Sequence, residues 1–189
     1  MESSLLTTIQ AGQGNVGAVT AEIDCLRIVL ESITEIERRI PSHCLSFCFV
    51  DPFGLDIHFE TIRRLSTGRA MDFLVLLALG MDATRNWQLY LQPGTAKVER
   101  FLGDPSWRER WIVAEKGGSS PIRFLAQEYT RGMTGLGYLT TSLDQMIEVR
   151  THEKNMRLYY LAFFSKKEKG YEFWREVQKY SSDQLGLGF

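Results

Sequence analysis

The sequence predicts one α/β domain with a mostly parallel β-sheet, helices on both faces and an antiparallel β-hairpin near the carboxyl end. Strand-like and helical segments alternate in the first half of the chain, and two strand-like segments joined by a short polar linker follow later. Of the 189 residues, 44% are hydrophobic and 24% are charged, and the formal net charge is −1. This composition is typical of a globular domain and excludes a protein that holds nucleic acid by bulk electrostatic attraction alone.

The first half of the chain contains five alternating segments. Residues 17–23 have the β-branched, alternating character of a short strand. Apolar residues at helical spacing then predict an amphipathic helix from Cys25 to about Arg39. Residues 44–50 (CLSFCFV) and 71–79 (MDFLVLLAL) are apolar almost throughout, as in strands that are covered on both faces. A short helix is predicted between them at residues 59–65, and this order is typical of a parallel sheet.

The second half of the chain has a different character. Residues 83–131 contain prolines and three tryptophans in short helical pieces. Two strand-like segments follow at 137–150 and 157–165, and the polar linker 151–155 (THEKN) predicts that they pair antiparallel. Residues 171–180 predict a final helix with an apolar face.

No repeat or low-complexity tract divides the chain, so a single domain over residues 1–189 is expected. We divide it into an irregular N-terminal segment (1–16), a parallel α/β core (17–80), a helical variable insertion (81–135) and an antiparallel hairpin with a C-terminal helix (136–189). A parallel core that ends in an antiparallel hairpin predicts, by analogy of element order, a Rossmann-like sheet of the class I methyltransferase kind.

The strongest local signal for a site is Asp51-Pro52-Phe53-Gly54, directly after the predicted strand that ends at Val50. Ligands of open α/β sheets bind beyond the carboxyl ends of the strands. A carboxylate can accept a hydrogen bond from an amino group, proline stiffens the turn, and the phenylalanine ring offers a stacking face. We interpret these four residues as a candidate catalytic turn, while an ordinary strand-ending turn is the alternative.

Asp24 and Cys25 are candidate cofactor-binding residues, because they follow the first predicted strand at the same edge of the sheet. The carboxylate would accept a hydrogen bond from the amino group of an adenine, and Cys25 or Leu26 would pack on the ring. A simple helix N-cap is the alternative role of Asp24, and the two roles are compatible. The G-x-G-x-x-G run at residues 12–17 is not interpreted as a phosphate loop, because a strand and not a helix is predicted after it.

Arg85 and Asn86 are candidate substrate-binding residues after the third predicted strand. An arginine at this edge can pair with a phosphate or a carboxylate, and a solvated helix start is the alternative. The sequence has no Cys/His zinc spacing, P-loop or nucleophile elbow, so no metal ligand is assigned. The acidic residues Asp51, Asp56 and Glu60 leave a Mg²⁺-dependent nuclease as a further alternative.

The three cysteines, Cys25, Cys44 and Cys48, are expected to be free thiols. Cys44 and Cys48 are four residues apart along a predicted strand, which is too far for a relaxed disulfide. Reduced thiols, with no membrane-length apolar run and no export signal, predict a cytoplasmic protein.

Several separated motifs give the sequence a resemblance to a known family. In chain order they are 49–55 (FVDPFGL), 81–86 (MDATRN), 101–104 (FLGD), 137–138 (GY) and 155–165 (NMRLYYLAFFS). This ordered set resembles the three-Cys-motif partner (TcmP) proteins, which are bacterial proteins with a class I methyltransferase-like fold.

The resemblance covers the chain from about Val19 onward and corresponds to the C-terminal portion of the family. It implies S-adenosylmethionine as the cofactor, a partner protein, and a nucleic-acid base as the substrate class. The family's first strand and its acid-and-glycine loop, where the cofactor would sit, are not found here. N-terminal strands of the sheet are therefore expected to be missing.

Two further expectations concern interactions. The alternative function is a non-catalytic interaction module derived from a methyltransferase fold, with Trp87, Trp107 and Trp111 as an exposed aromatic surface. A sheet without its first strands would also expose an unpaired edge. Residues 1–16 are therefore expected to pack over that edge, or two chains are expected to meet there as a homodimer.

Overall fold

The computed structural model of the protein describes residues 5–11, 19–23, 28–40, 44–151 and 155–184. The strands in these residues are β1 (Leu5–Ala11), β2 (Val19–Ile23), β3 (Leu45–Val50), β4 (Ala70–Leu77), β5 (Ile147–Arg150) and β6 (Arg157–Phe164). They form one sheet in the order β2-β1-β3-β4-β6-β5. The protein is therefore a mixed α/β protein.

Helices fill most of the remaining described chain. They are α1 (Ile28–Arg39), α2 (Phe59–Ser66), α3 (Thr84–Tyr90), α4 (Lys97–Leu102), α5 (Trp107–Lys116), α6 (Pro121–Gly135) and α7 (Glu168–Gln184). A π-helical turn (Leu79–Ala83) joins β4 to α3, and a 3-10 turn (Leu143–Gln145) precedes β5. None of the helices in the described ranges is long and apolar enough to cross a membrane.

The expectation of a mostly parallel sheet is wrong. Among the described strands, β3 and β4 are the one parallel pair, and the other four pairings are antiparallel. The physical reason is β1, which the sequence analysis left irregular. This strand inserts antiparallel between β2 and β3 and separates two strands that run in the same direction. Because β1 pairs with the edge of β3, part of the N-terminal segment covers that edge, as expected.

The antiparallel pairing of β5 and β6 is confirmed, but β5 is much shorter than the predicted strand 137–150. The chain leaves α6 through Gly137, which has a left-handed φ of +87°. It then runs past the end of β6, where the Thr141 hydroxyl donates to the carbonyl of Phe163 at 3.0 Å. The 3-10 turn Leu143–Gln145 follows, so β5 begins only at Ile147 and ends at Arg150.

The two faces of the sheet are covered unequally. Helix α1 connects β2 to β3 and α2 connects β3 to β4, and both connections run in the same direction across the sheet. Because such connections are right-handed, α1 and α2 lie on the same face of the sheet, where α4 and α6 also pack. The β3 and β4 side chains on that face are buried. The opposite face, which we call the open face, is half-buried, and at one end it is exposed. Its large apolar residues are Leu45, Phe47, Phe49, Leu74, Leu76, Ile147, Val149, Tyr159 and Leu161, and Ala70 and the half-buried Asp72 lie on the same face.

The prediction that β3 and β4 are covered on both faces is therefore wrong. Of the helices in the described ranges, α7 alone packs on the open-face side. Its Tyr171 and Trp174 rings lie 5.3 Å, centroid to centroid, from Phe163, which is the buried residue of that side. Helices do occur on both faces, but the second face is covered at one end only.

The three tryptophans of the helical segment belong to the hydrophobic core. Trp87, Trp107 and Trp111 are each at most 5% exposed and pack around Phe124. The expected exposed aromatic surface at these residues is therefore wrong. An aromatic ring buries more apolar area than an aliphatic side chain, so a few large rings can form the core between these short helices.

Candidate functional site

The carboxyl ends of β3 and β4 meet at one edge of the sheet, because these two strands are parallel. The chain leaves β3 through the candidate turn of residues 51–54, which we call turn 51–54. It leaves β4 through the π-helical turn Leu79–Ala83. Single π-helical turns are frequent at functional sites, which makes this edge a candidate site.

One carboxylate ties the two segments together. The Oδ2 atom of Asp82 accepts a hydrogen bond from the backbone N–H of Leu55 at 2.7 Å. Its Oδ1 atom accepts from the amide of Asn86 at 2.6 Å and from the hydroxyl of Tyr90. The ammonium group of Lys97 lies 3.9 Å from Oδ2. These five residues form the Asp82 network, which fixes the end of turn 51–54 against the start of α3.

The electrostatics of the network keep Asp82 charged. Burial alone would raise the pKa of this carboxyl, but hydrogen bonds from Tyr90, Asn86 and Leu55 and the Lys97 charge outweigh burial, so the pKa lies below its ordinary value. Burial and the hydrogen bond to Asp82 raise the pKa of Tyr90. Both oxygens of Asp82 are occupied by protein donors. We therefore assign Asp82 a positioning role and not a proton-transfer role.

Gly54 is required by the same contact. Its φ is +68°, and a Cβ atom at this position would lie 2.4 Å from Oδ2 of Asp82. A side chain here would therefore combine backbone strain with a clash against the carboxylate that holds Leu55.

Turn 51–54 presents its polar and aromatic groups outward. Asp51 is exposed and Phe53 is 68% exposed, whereas Pro52 and Gly54 are buried. The carboxylate and the ring therefore stand on a turn whose backbone is held by the Asp82 network. This arrangement can accept a hydrogen bond from a ligand and stack on its plane.

The other candidate residues lie in different environments or outside the described residues. Arg85 is exposed in the first turn of α3 and does not belong to the Asp82 network. Asn86 donates to Asp82, so it positions the turn and is not free for the substrate contact expected of it. Asp24 and Cys25 lie outside the described residues.

Asp82, Tyr90 and Lys97 were not predicted as site residues from the sequence. Asp82, Asn86 and Tyr90 follow each other at intervals of four residues, which places them on one face of the helical segment. That spacing was the available signal. The spacing does not reveal the hydrogen bond from Leu55 to Asp82, because these two residues are 27 positions apart in the chain.

The described residues offer no support for the nuclease alternative. Within these ranges, no group of three or more His, Cys, Asp or Glu side chains is placed to hold a metal ion. Asp56 instead pairs with Lys97 at 2.8 Å.

Two of the predicted free thiols can be located. Cys48 is buried and Cys44 is half-buried, and both are free. Burial raises the pKa of the Cys48 thiol to about 12, so this group is an inert part of the core. Cys25 lies outside the described residues.

The fold and the site define a mixed α/β protein in which the turn after β3 is tied to the segment after β4 by the bond between Leu55 and Asp82. Comparisons of the chain with protein-family models, with curated proteins and with solved structures give no significant match.

The role of Asp82 predicts a specific pH dependence. Because its folded pKa is depressed, its contribution to stability is present above the unfolded pKa, near 4, and is lost as the pH falls through the lower folded value. We expect the free energy of unfolding, measured by urea denaturation from pH 7 to pH 3, to fall less steeply in acid for Asp82→Asn than for the unmodified protein. The exposed Asp144→Asn serves as the control and should keep the original slope. Equal slopes for all three proteins would contradict the assigned role.

Proposed function

We propose that the protein is a methyltransferase-related protein of the TcmP type that binds a nucleic-acid base, or a similar planar amine, at turn 51–54. One observation carries the proposal: the Asp82 network fixes this turn while the Asp51 carboxylate and the Phe53 ring remain exposed at the strand ends. A turn that is already ordered loses little conformational entropy when it binds a ligand.

The chemistry of the turn suits an amino group on a planar ring. Asp51 accepts a hydrogen bond from the amino group while the ring stacks on Phe53. This bond orients the nitrogen, and the carboxylate is placed to take the proton that the nitrogen loses when it is alkylated. Arg85, which is exposed at the start of α3, would pair with a phosphate of the same substrate.

S-adenosylmethionine, which the family resemblance implies, would supply the methyl group when bound. The acceptors at this edge fit the cofactor chemically, because the exposed carboxylate of Asp51 can accept a hydrogen bond from one of its amino groups. The residues expected to hold it, Asp24 and Cys25, follow β2 in the sequence. Since β2 and β3 are both antiparallel to β1, β2 ends at the same edge as β3.

Nucleoside pairs that differ in one amino group test the proposal. By isothermal titration calorimetry we expect adenosine and cytidine to bind more tightly than inosine and uridine. Phe53→Ala should weaken all four by about tenfold, because stacking on an aromatic side chain contributes about 1–3 kcal/mol. Asp51→Ala should remove the preference for amino-bearing bases, whereas Asp144→Ala, at another exposed carboxylate, should keep it.

Calorimetry with S-adenosylmethionine separates the base-binding part of the proposal from its methyl-transfer part. No heat with any nucleoside at millimolar concentration would overturn the proposal. Nucleoside binding without any heat from S-adenosylmethionine would remove its methyl-transfer part and leave a base-binding protein.

The alternative of a non-catalytic interaction module no longer depends on the tryptophans, which are buried. A different observation favours it, namely the apolar open face of the sheet. A module of this kind would bind a protein through the open face and would give no heat with nucleosides or with S-adenosylmethionine.

A further inference from the structure

Among the described helices, α7 alone packs on the open face, and most of the residues of this face are apolar. A strand that has one face in water normally alternates apolar and polar residues. Here the open face of β3 and β4 is apolar apart from the half-buried Asp72, and yet Leu45 is 64% exposed and Phe47, Phe49, Leu74 and Leu76 are half-buried. Burial on this side follows α7, because Phe163 is buried where Trp174 stacks on it with an interplanar angle of 18°.

The uncovered area lies beside α7. The helix starts next to β4, since a Cβ atom on Gly170 would lie 3.1 Å from Oδ2 of Asp72. Its Trp174 and Gln178 share a cavity of about 230 Å³ with Asp144 of the 3-10 turn, at the β5 edge. The opposite flank of α7 therefore faces β4 and β3.

That flank of α7 is also apolar. Phe173 and Val177 are one helical turn apart and both are exposed, Phe173 by 68% of its surface. The open face and this flank thus form a groove, in which the open face is the floor and the Phe173/Val177 flank of α7 is the wall. Three strands at about 4.8 Å spacing and five residues at about 3.3 Å give a floor of about 14 by 16 Å. A helix with its side chains is about 10 Å wide and rises 1.5 Å per residue, so the floor accommodates one helix of about three turns.

We propose that the open face and the Phe173/Val177 flank of α7 bind an amphipathic α-helix from another protein. The occupant has apolar residues at positions i, i+3, i+4 and i+7, which pack on the floor and against Phe173. Lys169 lies one turn before Phe173, whereas Glu176 already pairs with Lys179, so an acidic residue on the bound helix complements Lys169. This inference goes beyond the proposed function, because it requires no reaction at turn 51–54.

A second copy of this chain fits the same surface poorly. The protruding side of α7 carries Lys169, Glu172 and Glu176, all of them exposed. Two copies that met face to face would press these charges onto each other's apolar floor, where they would lose hydration without a partner. The floor is also smaller than the roughly 800 Å² per partner of a standard stable interface, which predicts micromolar affinity for a single bound helix.

A synthetic peptide tests the proposal. The probe is a fluorescein-labelled 14-residue peptide of Leu, Glu and Lys with zero net charge and the helical apolar pattern, and its comparison is a scrambled peptide of the same composition. By fluorescence anisotropy we expect saturable micromolar binding of the patterned peptide and at least about tenfold weaker binding of the scrambled one.

Matched variants locate the binding surface. Phe173→Lys and Leu45→Asn change exposed side chains, so both variants should fold. Each should lower the affinity for the patterned peptide by at least about tenfold. Ile112→Asn, at an exposed apolar residue of α5, should leave binding unchanged. Equal binding of both peptides, or unchanged affinity in Phe173→Lys and Leu45→Asn, would overturn the proposal. Light scattering that shows a dimer of the unmodified protein, broken by Leu45→Asn, would assign the surface to a second copy instead.

Discussion

Replacement of Trp107 by alanine is expected to lower the free energy of unfolding by about 3–5 kcal/mol. Trp107 has no exposed surface, and its ring centroid lies 5.8 Å from Trp87 and 6.5 Å from Phe124. The substitution leaves a large cavity between α3, α5 and α6, and these short helices cannot close it without losing their own contacts. Urea denaturation followed by circular dichroism measures the change.

The matched control lies on the same helix. Val113 is exposed, so Val113→Ala should change the free energy of unfolding by no more than about 0.5 kcal/mol. A loss of less than about 1 kcal/mol for Trp107→Ala would show that this tryptophan is not part of the core, and would restore it as a candidate partner surface.

Replacement of Gly54 by alanine is expected to lower the free energy of unfolding by about 2–5 kcal/mol. A left-handed φ costs an L-residue about 1–2 kcal/mol. The new Cβ would in addition push Oδ2 of Asp82 away from the Leu55 N–H and leave a polar group unsatisfied, which costs about 1–3 kcal/mol.

Gly68 separates these two effects. Its φ of +69° nearly equals the +68° of Gly54, but a Cβ there would meet nothing within 4 Å. Gly68→Ala should therefore show the backbone cost alone, and the difference between the two variants measures the clash with Asp82. Under the proposed function, nucleoside binding should also weaken in Gly54→Ala and not in Gly68→Ala. Equal losses of stability in the two variants would contradict the Asp82 network.

β3 and β4 were predictable because their apolar runs are long and bounded by turn residues. The predicted strand at 44–50 and the short helix at 59–65 agree with β3 and α2 to within one residue. The coverage of the sheet was not predictable from these runs. A strand with apolar residues on both faces has the same sequence whether its second cover lies within the chain or comes from outside it.

The tryptophans show a second limit of the sequence. Trp87, Trp107 and Trp111 stand on two different helices, so no single helical period relates them. Their burial is decided by how α3 and α5 meet, with the Trp87 and Trp111 ring centroids 4.7 Å apart. The candidate site has the same limit. Turn 51–54 was visible as a motif, whereas the bond between Leu55 and Asp82 that orders it is a tertiary contact.

The strand order of the sheet has a consequence for how the chain is made. β4 and β6 are neighbours in the sheet, but the whole helical segment from α3 to α6 lies between them in the sequence. Closing so long a loop costs conformational entropy before any β4–β6 contact compensates for it. During synthesis, until β6 has left the ribosome, β4 has a free edge rich in leucine and valine. That nascent intermediate is the state in which we expect chaperone binding and aggregation to compete with folding.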